Sequence, residues 1–225
     1  MKVAVLSESR ADETALGILV GGMLKVDPEP ATPRPLRARG WPSILDTVGT
    51  VLRHLHYQTC ADALVVVTDS DNSLVHERSH ESPDCEENDC RLCEMRKRVK
   101  QVLANLSPVH GRQTLRTAIG LACPCIEAWY LCGKAGQITE AAWSRKLESC
   151  SNLRVERLKL KRLVYGTERP SLELECKHAE EEARRLVTCL PLLEKHFPNG
   201  FGALAQDVRS WTSTPMSDPP HTSPG

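Results

Sequence analysis

An α/β fold built on a mostly parallel sheet is what this 225-residue sequence predicts, and three observations predict it. Two short runs, Val3-Ala4-Val5-Leu6 and Ala63-Leu64-Val65-Val66-Val67, are apolar at every position, as strands buried on both faces are. Each is followed, after a loop, by a segment with apolar residues at helical spacing, so that strand and helix alternate. Acidic residues stand directly after these runs, at the carboxyl ends where open parallel sheets place their ligand sites.

Taken in order, residues 2–7 form the first strand, and Asp12 to Leu24 is a helix with Ala15, Leu16, Leu19, Val20 and Met23 on one face. A stretch with Pro28, Pro30, Pro33 and Pro35 is too poor in amide donors for regular structure. Ser43 opens a second helix through Ile44, Leu45, Val48, Val51, Leu52 and Leu55, and Ala63 to Thr68 is the second strand. After a polar loop come a basic amphipathic helix at Arg91 to Leu106, a third strand at Thr114 to Ala122, and a helix through Ile126, Trp129 and Leu131 that Pro124 precedes. Helices are expected at Thr139–Cys150, Ser171–Leu190 and Phe201–Trp211. The organisation expected is an α/β core over 1–135, a helical part packed on it over 136–211, and a Ser-, Thr- and Pro-rich disordered tail over 212–225.

Charge is balanced, with 29 basic and 29 acidic residues, so no whole-molecule field draws the chain to nucleic acid or to an acidic membrane. Any such binding must use local patches. No apolar run approaches the ~20 residues of a membrane span, and the start lacks the features of a secretory signal, so a cytoplasmic protein with no membrane partner is expected. In that compartment the ten cysteines are reduced thiols rather than a disulfide framework.

Glu8 follows the first strand, and Asp69 and Asp71 follow the second. An Asp-x-Asp loop with a third carboxylate from a neighbouring strand end is an oxygen-rich site suited to Mg²⁺ or Mn²⁺. Glu127, one turn into the helix after the third strand, is a further candidate. Structural readings compete with this one. Ser9 with Asp12 or Glu13 makes a capping box, which is the preferred reading of those two acids, and Asp69-Ser70-Asp71-Asn72 is also good turn chemistry.

The order strand–Glu–helix, then strand–Asp-x-Asp, then Ile126-Glu127-Ala128-Trp129-Tyr130-Leu131 resembles the TOPRIM-like nuclease superfamily, in particular small stand-alone bacterial members associated with anti-phage defence. The likeness spans roughly residues 1–135, with Phe197-Pro198-Asn199-Gly200-Phe201 as a fainter echo. It implies a TOPRIM-like (Rossmannoid) sheet, Mg²⁺-dependent phosphodiester hydrolysis of DNA or RNA, and catalytic, metal-binding roles for Glu8, Asp69 and Asp71. Two positions depart from the family pattern: Ser9 stands where glycine is usual, and Ser73 where a further acid is frequent. In a nuclease, Arg96, Lys97, Arg98 and Lys100 on one helix, and Arg154, Arg157, Lys159, Lys161 and Arg162 further on, would contact the phosphate backbone, although for any one of them a solvated helix face is the preferred reading.

Between the Asp-x-Asp and the basic helix the sequence reads His76-x3-His80-x4-Cys85-x4-Cys90-x2-Cys93. This density of soft donors predicts a structural Zn²⁺ in the 76–93 loop, with His80, Cys85, Cys90 and Cys93 as ligands and His76 as substitute. The leading function is thus a metal-dependent nuclease, the effector subunit of a defence system with an ATPase partner and a possible homo-oligomer. A non-catalytic adaptor docking on a larger ATPase is the alternative. A phosphatase or nucleotide-binding enzyme on a generic doubly wound fold is a third reading, against which counts the lack of a glycine-rich loop after the first strand.

Overall fold

The computed structural model describes residues 1–32, 36–81, 90–134 and 138–213. Strand β1 (Lys2–Ser7) leads into helix α1 (Arg10–Leu24), two short strands β2 (Glu29–Pro30) and β3 (Leu36–Arg37), and helix α2 (Gly40–Gln58). Strand β4 (Ala63–Asp69), a 3-10 turn at Arg78–Glu81, helix α3 (Arg91–Ala104) and strand β5 (Arg116–Ala122) follow. The remaining described elements are helices: α4 (Ile126–Tyr130), α5 (Glu140–Ser149), α6 (Leu153–Tyr165), α7 (Leu172–Val187), α8 (Leu190–His196) and α9 (Phe201–Ser213). The strands lie in the order β2-β1-β4-β5, with β3 also on the outer side of β1, and every pairing is parallel.

Side-chain alternation along the strands divides the core into two layers. Val3, Val65, Val67 and Ala118 face α1, α4, α7 and α9, where Trp129 meets Phe201 edge to face at 5.1 Å. Ala4, Leu6, Leu64, Val66, Ile119 and Leu121 face α2 and α3. A parallel sheet covered by helices on both sides needs strands apolar at every position, which is why the two runs carry no alternation of their own. Among the described residues no helix is long and apolar enough to cross a membrane, and the described cysteines are free thiols.

Helix α1 starts where the capping box predicts. Ser9 Oγ accepts from the Asp12 amide at 3.1 Å, and the Asp12 carboxylate bonds back to Ser9. Three expectations need correction. The proline-rich stretch does contain strand pairing, because Glu29, Ala31 and Ala38, not the prolines, donate to the carbonyls of Met1, Val3 and Ser7 at the sheet edge. The helix expected over Ser171–Leu190 ends at Val187, and Pro191 stands in the first turn of α8. Helix α6 was not foreseen, although Asn152 caps its start and Gly166, at φ 73°, ends it; its dense cations read as a charged run. The expected tail falls on residues 212–225, of which Thr212 and Ser213 belong to α9 and the remainder lie outside the described residues.

Buried Glu140, the first residue of α5, holds the turn between α8 and α9, accepting from the amides of Asn199 at 2.9 Å and Gly200 at 2.6 Å. A Cβ at Gly200 would lie 2.0 Å from the Leu121 carbonyl oxygen of β5, so no side chain fits there. Gly200→Ala is therefore expected to destabilise the fold by about 2–3 kcal/mol, lowering the melting temperature by roughly 5–10 °C. Unchanged melting in calorimetry would show that the turn does not press on the strand as described.

Candidate functional site

Parallel register brings the carboxyl ends of β1, β4 and β5 side by side, and the acidic residues meet there. Glu8 Oε1 accepts from Thr68 Oγ1 at 2.9 Å and from the Asp69 amide at 3.3 Å, so the first and second strand ends are joined through this carboxylate. Asp69 Oδ1 accepts from the Ile126 amide at the start of α4, at 3.1 Å. The next residue, Glu127, is buried. Burial pushes the Asp69 acid well up, and the negative charges of Glu127, Glu8 and Asp12 push it further. Asp12 is likewise pushed up, to about 7, by burial first and then by Glu127 and Glu8, against the pull of its bonds to Ser9.

Crowded carboxylates of this kind are at odds with one another unless cations share the site. Lys161 of α6 reaches Glu127 at 3.5 Å; burial alone would lower its pKa, but Glu127, Glu175 and Asp69 raise it. Arg91, first residue of α3, donates to the Asp69 carbonyl at 2.6 Å and to the Asp71 carboxylate at 3.0 Å. Arg157 of α6 binds the other oxygen of Asp71. Asp71 therefore turns to two arginines from a left-handed backbone (φ 51°), while Glu8 and Asp69 meet Glu127 and Asp12. Glu13 pairs with Arg37 at 3.4 Å. Among the described residues, no three carboxylates bring oxygens within 4.8 Å of one another. The phenol of Tyr130 is fully buried in the field of Asp12, Glu127 and Asp69 and has no hydrogen-bond partner among the described residues, a polar atom suited to a bound water or ligand.

A second cluster lies at the start of α3. His76 Nδ1 stands 3.3 Å from Cys90 Sγ and 3.4 Å from Cys93 Sγ, and the three donor atoms lie within 4.8 Å of one another. A tetrahedral zinc with Zn–S of about 2.3 Å and Zn–N of about 2.0–2.1 Å separates nitrogen and sulfur by roughly 3.5 Å, so this cluster has the spacing to hold such an ion. The histidine is His76 and not His80, which the sequence put first. His80 Nδ1 instead accepts from the Glu77 amide at 3.3 Å, at the head of the 3-10 turn, and its carbonyl faces the Cys93 thiol. Cys85 lies outside the described residues.

Of the expected phosphate contacts on α3, Lys97, Arg98 and Lys100 are exposed, whereas Arg96 reaches Asp207 of α9 at 3.8 Å. Sequence reasoning missed Thr68, Arg91 and Tyr130 as site residues, and took Arg157 and Lys161 only for phosphate contacts. Their spacing of i, i+4 on one helix face was the available signal. No family model, curated protein or solved structure matches the chain.

The raised acid of Asp12 carries a pH dependence with a definite sign. Its folded value of about 7 exceeds the ordinary 3.8, so its contribution to stability is fully present below about 4 and is lost as pH rises through 7. Asp12→Asn should therefore flatten the melting-temperature profile between pH 5 and 8 relative to wild type, with the largest gain, of several degrees, at the alkaline end. Parallel profiles for the two proteins would remove like-charge crowding from the description of this site.

Proposed function

We propose that the chain is a TOPRIM-like, Mg²⁺- or Mn²⁺-dependent nuclease that hydrolyses phosphodiester bonds in DNA or RNA, as the cytoplasmic effector of a bacterial anti-phage system with an ATPase partner. The observation that carries the reading is the meeting of Glu8 and Asp69 across adjacent parallel strand ends, with Glu127 and Asp12 close enough to raise the Asp69 acid. The donor set fits a hard cation. Mg²⁺ characteristically takes one or two protein carboxylates and fills its other positions with water and substrate phosphate, so three converging carboxylates are not required. When bound at Glu8 and Asp69, the cation supplies Lewis acidity at a phosphate oxygen and lowers the pKa of a bound water.

The chain's own groups have separable roles in this reading. Glu8 Oε1 is held by Thr68 and the Asp69 amide, which leaves Oε2, with no hydrogen bond from a described residue, either to bind the cation or to take a proton from the attacking water. Lys161, Arg91 and Arg157 balance charge on the scissile phosphate, and Asp71 orients the two arginines. The exposed Lys97, Arg98 and Lys100 bind the backbone further away. A structural Zn²⁺ at His76, Cys90 and Cys93 belongs to the same proposal.

The pairing of Asp71 with two arginines favours a second reading, a non-catalytic adaptor that docks on a larger ATPase, because those ion pairs occupy a carboxylate that a two-cation site would use. One comparison separates them. Purified protein, alone and with a candidate ATPase, is incubated with several nucleic acids in Mg²⁺ or Mn²⁺. Under the nuclease reading Glu8→Gln and Asp69→Asn lower cleavage by about 10²–10⁴-fold without loss of fold, and Asp71→Asn has a smaller effect. Partner binding by a wild-type chain that cleaves nothing would establish the adaptor.

A further inference from the structure

The His76, Cys90 and Cys93 cluster and the acidic site are joined by one peptide bond. Cys90 is the N-cap of α3, where its side chain makes no capping hydrogen bond, and the next residue is Arg91, whose guanidinium spans the Asp69 carbonyl and the Asp71 carboxylate. The same guanidinium stands over the Trp41 ring, 5.4 Å from its centre, and lies in the field of Glu8 and Asp69. At the other end of the loop, His76 follows Asp71 by only five positions and is buried. An ion held by His76, Cys90 and Cys93 thus ties the segment that follows the Asp69–Asp71 turn to the helix start that carries Arg91.

We propose that Zn²⁺ bound by His76, Cys90 and Cys93 is a latch that sets Arg91 against Asp69 and Asp71, so that occupancy of the soft-donor site controls the geometry of the acidic one. This rests on the zinc assignment made above but needs no cleavage activity. The physical reason lies in how the turn and the start of α3 are held. Between Asp71 and His76 the chain offers Val75 to the interior, while Leu74 is exposed. The turn is anchored by the amides of Ser70 and Asp71 on the carbonyls of Ala122 and Pro124, at 2.8 and 2.9 Å. The start of α3 beside it is held by the buried Cys90 and Leu92 and by the bonds of Arg91 to the turn itself. Metal bonds to residues 76, 90 and 93 add a direct tie between the segment after the turn and the start of α3. Arg91 then presents a fixed cation beside the carboxylates, a position from which a substrate phosphate is bound without reorganisation.

The test uses the full chain and reads amide exchange. Protein purified without added metal is assayed for zinc, stripped with a zinc-selective chelator and reloaded with one equivalent of Zn²⁺, with Mg²⁺ alone as control. Exchange is followed in peptides covering 69–73 and 90–96. The expected result is close to one zinc per chain, a loss of protection of roughly tenfold or more in both peptides on stripping, and recovery with Zn²⁺ but not Mg²⁺. Peptides covering 63–67 and 116–121 in the sheet should not change. Cys93→Ser should behave as the stripped protein. Arg91→Gln should retain zinc but lose protection at 69–73 alone. Absence of zinc from the purified protein, with no uptake on reloading, overturns the zinc assignment and the latch together. Zinc present, with exchange at 69–73 indifferent to its removal, overturns the latch and leaves the zinc site standing.

Discussion

Parallel pairing of β1 with β4 and of β4 with β5 is the constraint on which the site depends. Val3 opposite Ala63 and Leu6 opposite Val66 fix the register, and the same ladder continues to Asp69 opposite Ala122. Because parallel strands end on the same side of a sheet, Glu8, Asp69 and Glu127 arrive together although they are far apart in the chain. A slip of one residue would turn every side chain to the opposite layer and disperse them. The two apolar layers hold that register, so the energy that gathers like charges comes from burial elsewhere in the molecule.

What the gathering costs is visible in the raised acids of Asp69 and Asp12 and in the cations that have moved in. Lys161 and Arg157 come from one face of α6, and Arg91 from the start of α3, so two helices beyond the strands are committed to the acidic end of the sheet. A group of carboxylates placed for stability alone would be dispersed or individually paired. Here Glu127 and Asp71 have cationic partners, whereas Glu8 and Asp69 are held by backbone amides and Thr68. This division separates the acids suited to receiving a divalent cation from those that position arginine and lysine, and it underlies both the nuclease proposal and its adaptor rival.

Much of the framework is legible in the sequence because it is written in local chemistry. Apolar runs at Val3–Leu6 and Ala63–Val67 predict buried parallel strands, Ser9 with Asp12 predicts the start of α1, and the elements observed mostly begin and end within a few residues of those expected. Where the reading failed, the deciding information was elsewhere in space. The pairing of Glu29 and Ala31 with β1 needs the sheet edge to be in place, and α6 carries its cations toward acids that come from other segments.

The sequence by itself determined the α/β class, the acidic character of the strand ends and the concentration of soft donors between His76 and Cys93, since these follow from residue type and spacing. Only the tertiary structure decided which members of each group meet. It put His76, not His80, against Cys90 and Cys93, because the 3-10 turn at Arg78–Glu81 engages the His80 ring with the Glu77 amide. It turned Asp71 toward Arg91 and Arg157 while Asp69 stayed with Glu8, because the chain takes a left-handed backbone at Asp71, two residues past the end of β4. Ligand sets depend on side-chain direction and on partners distant in the chain, and neither is fixed until the helices pack on the sheet.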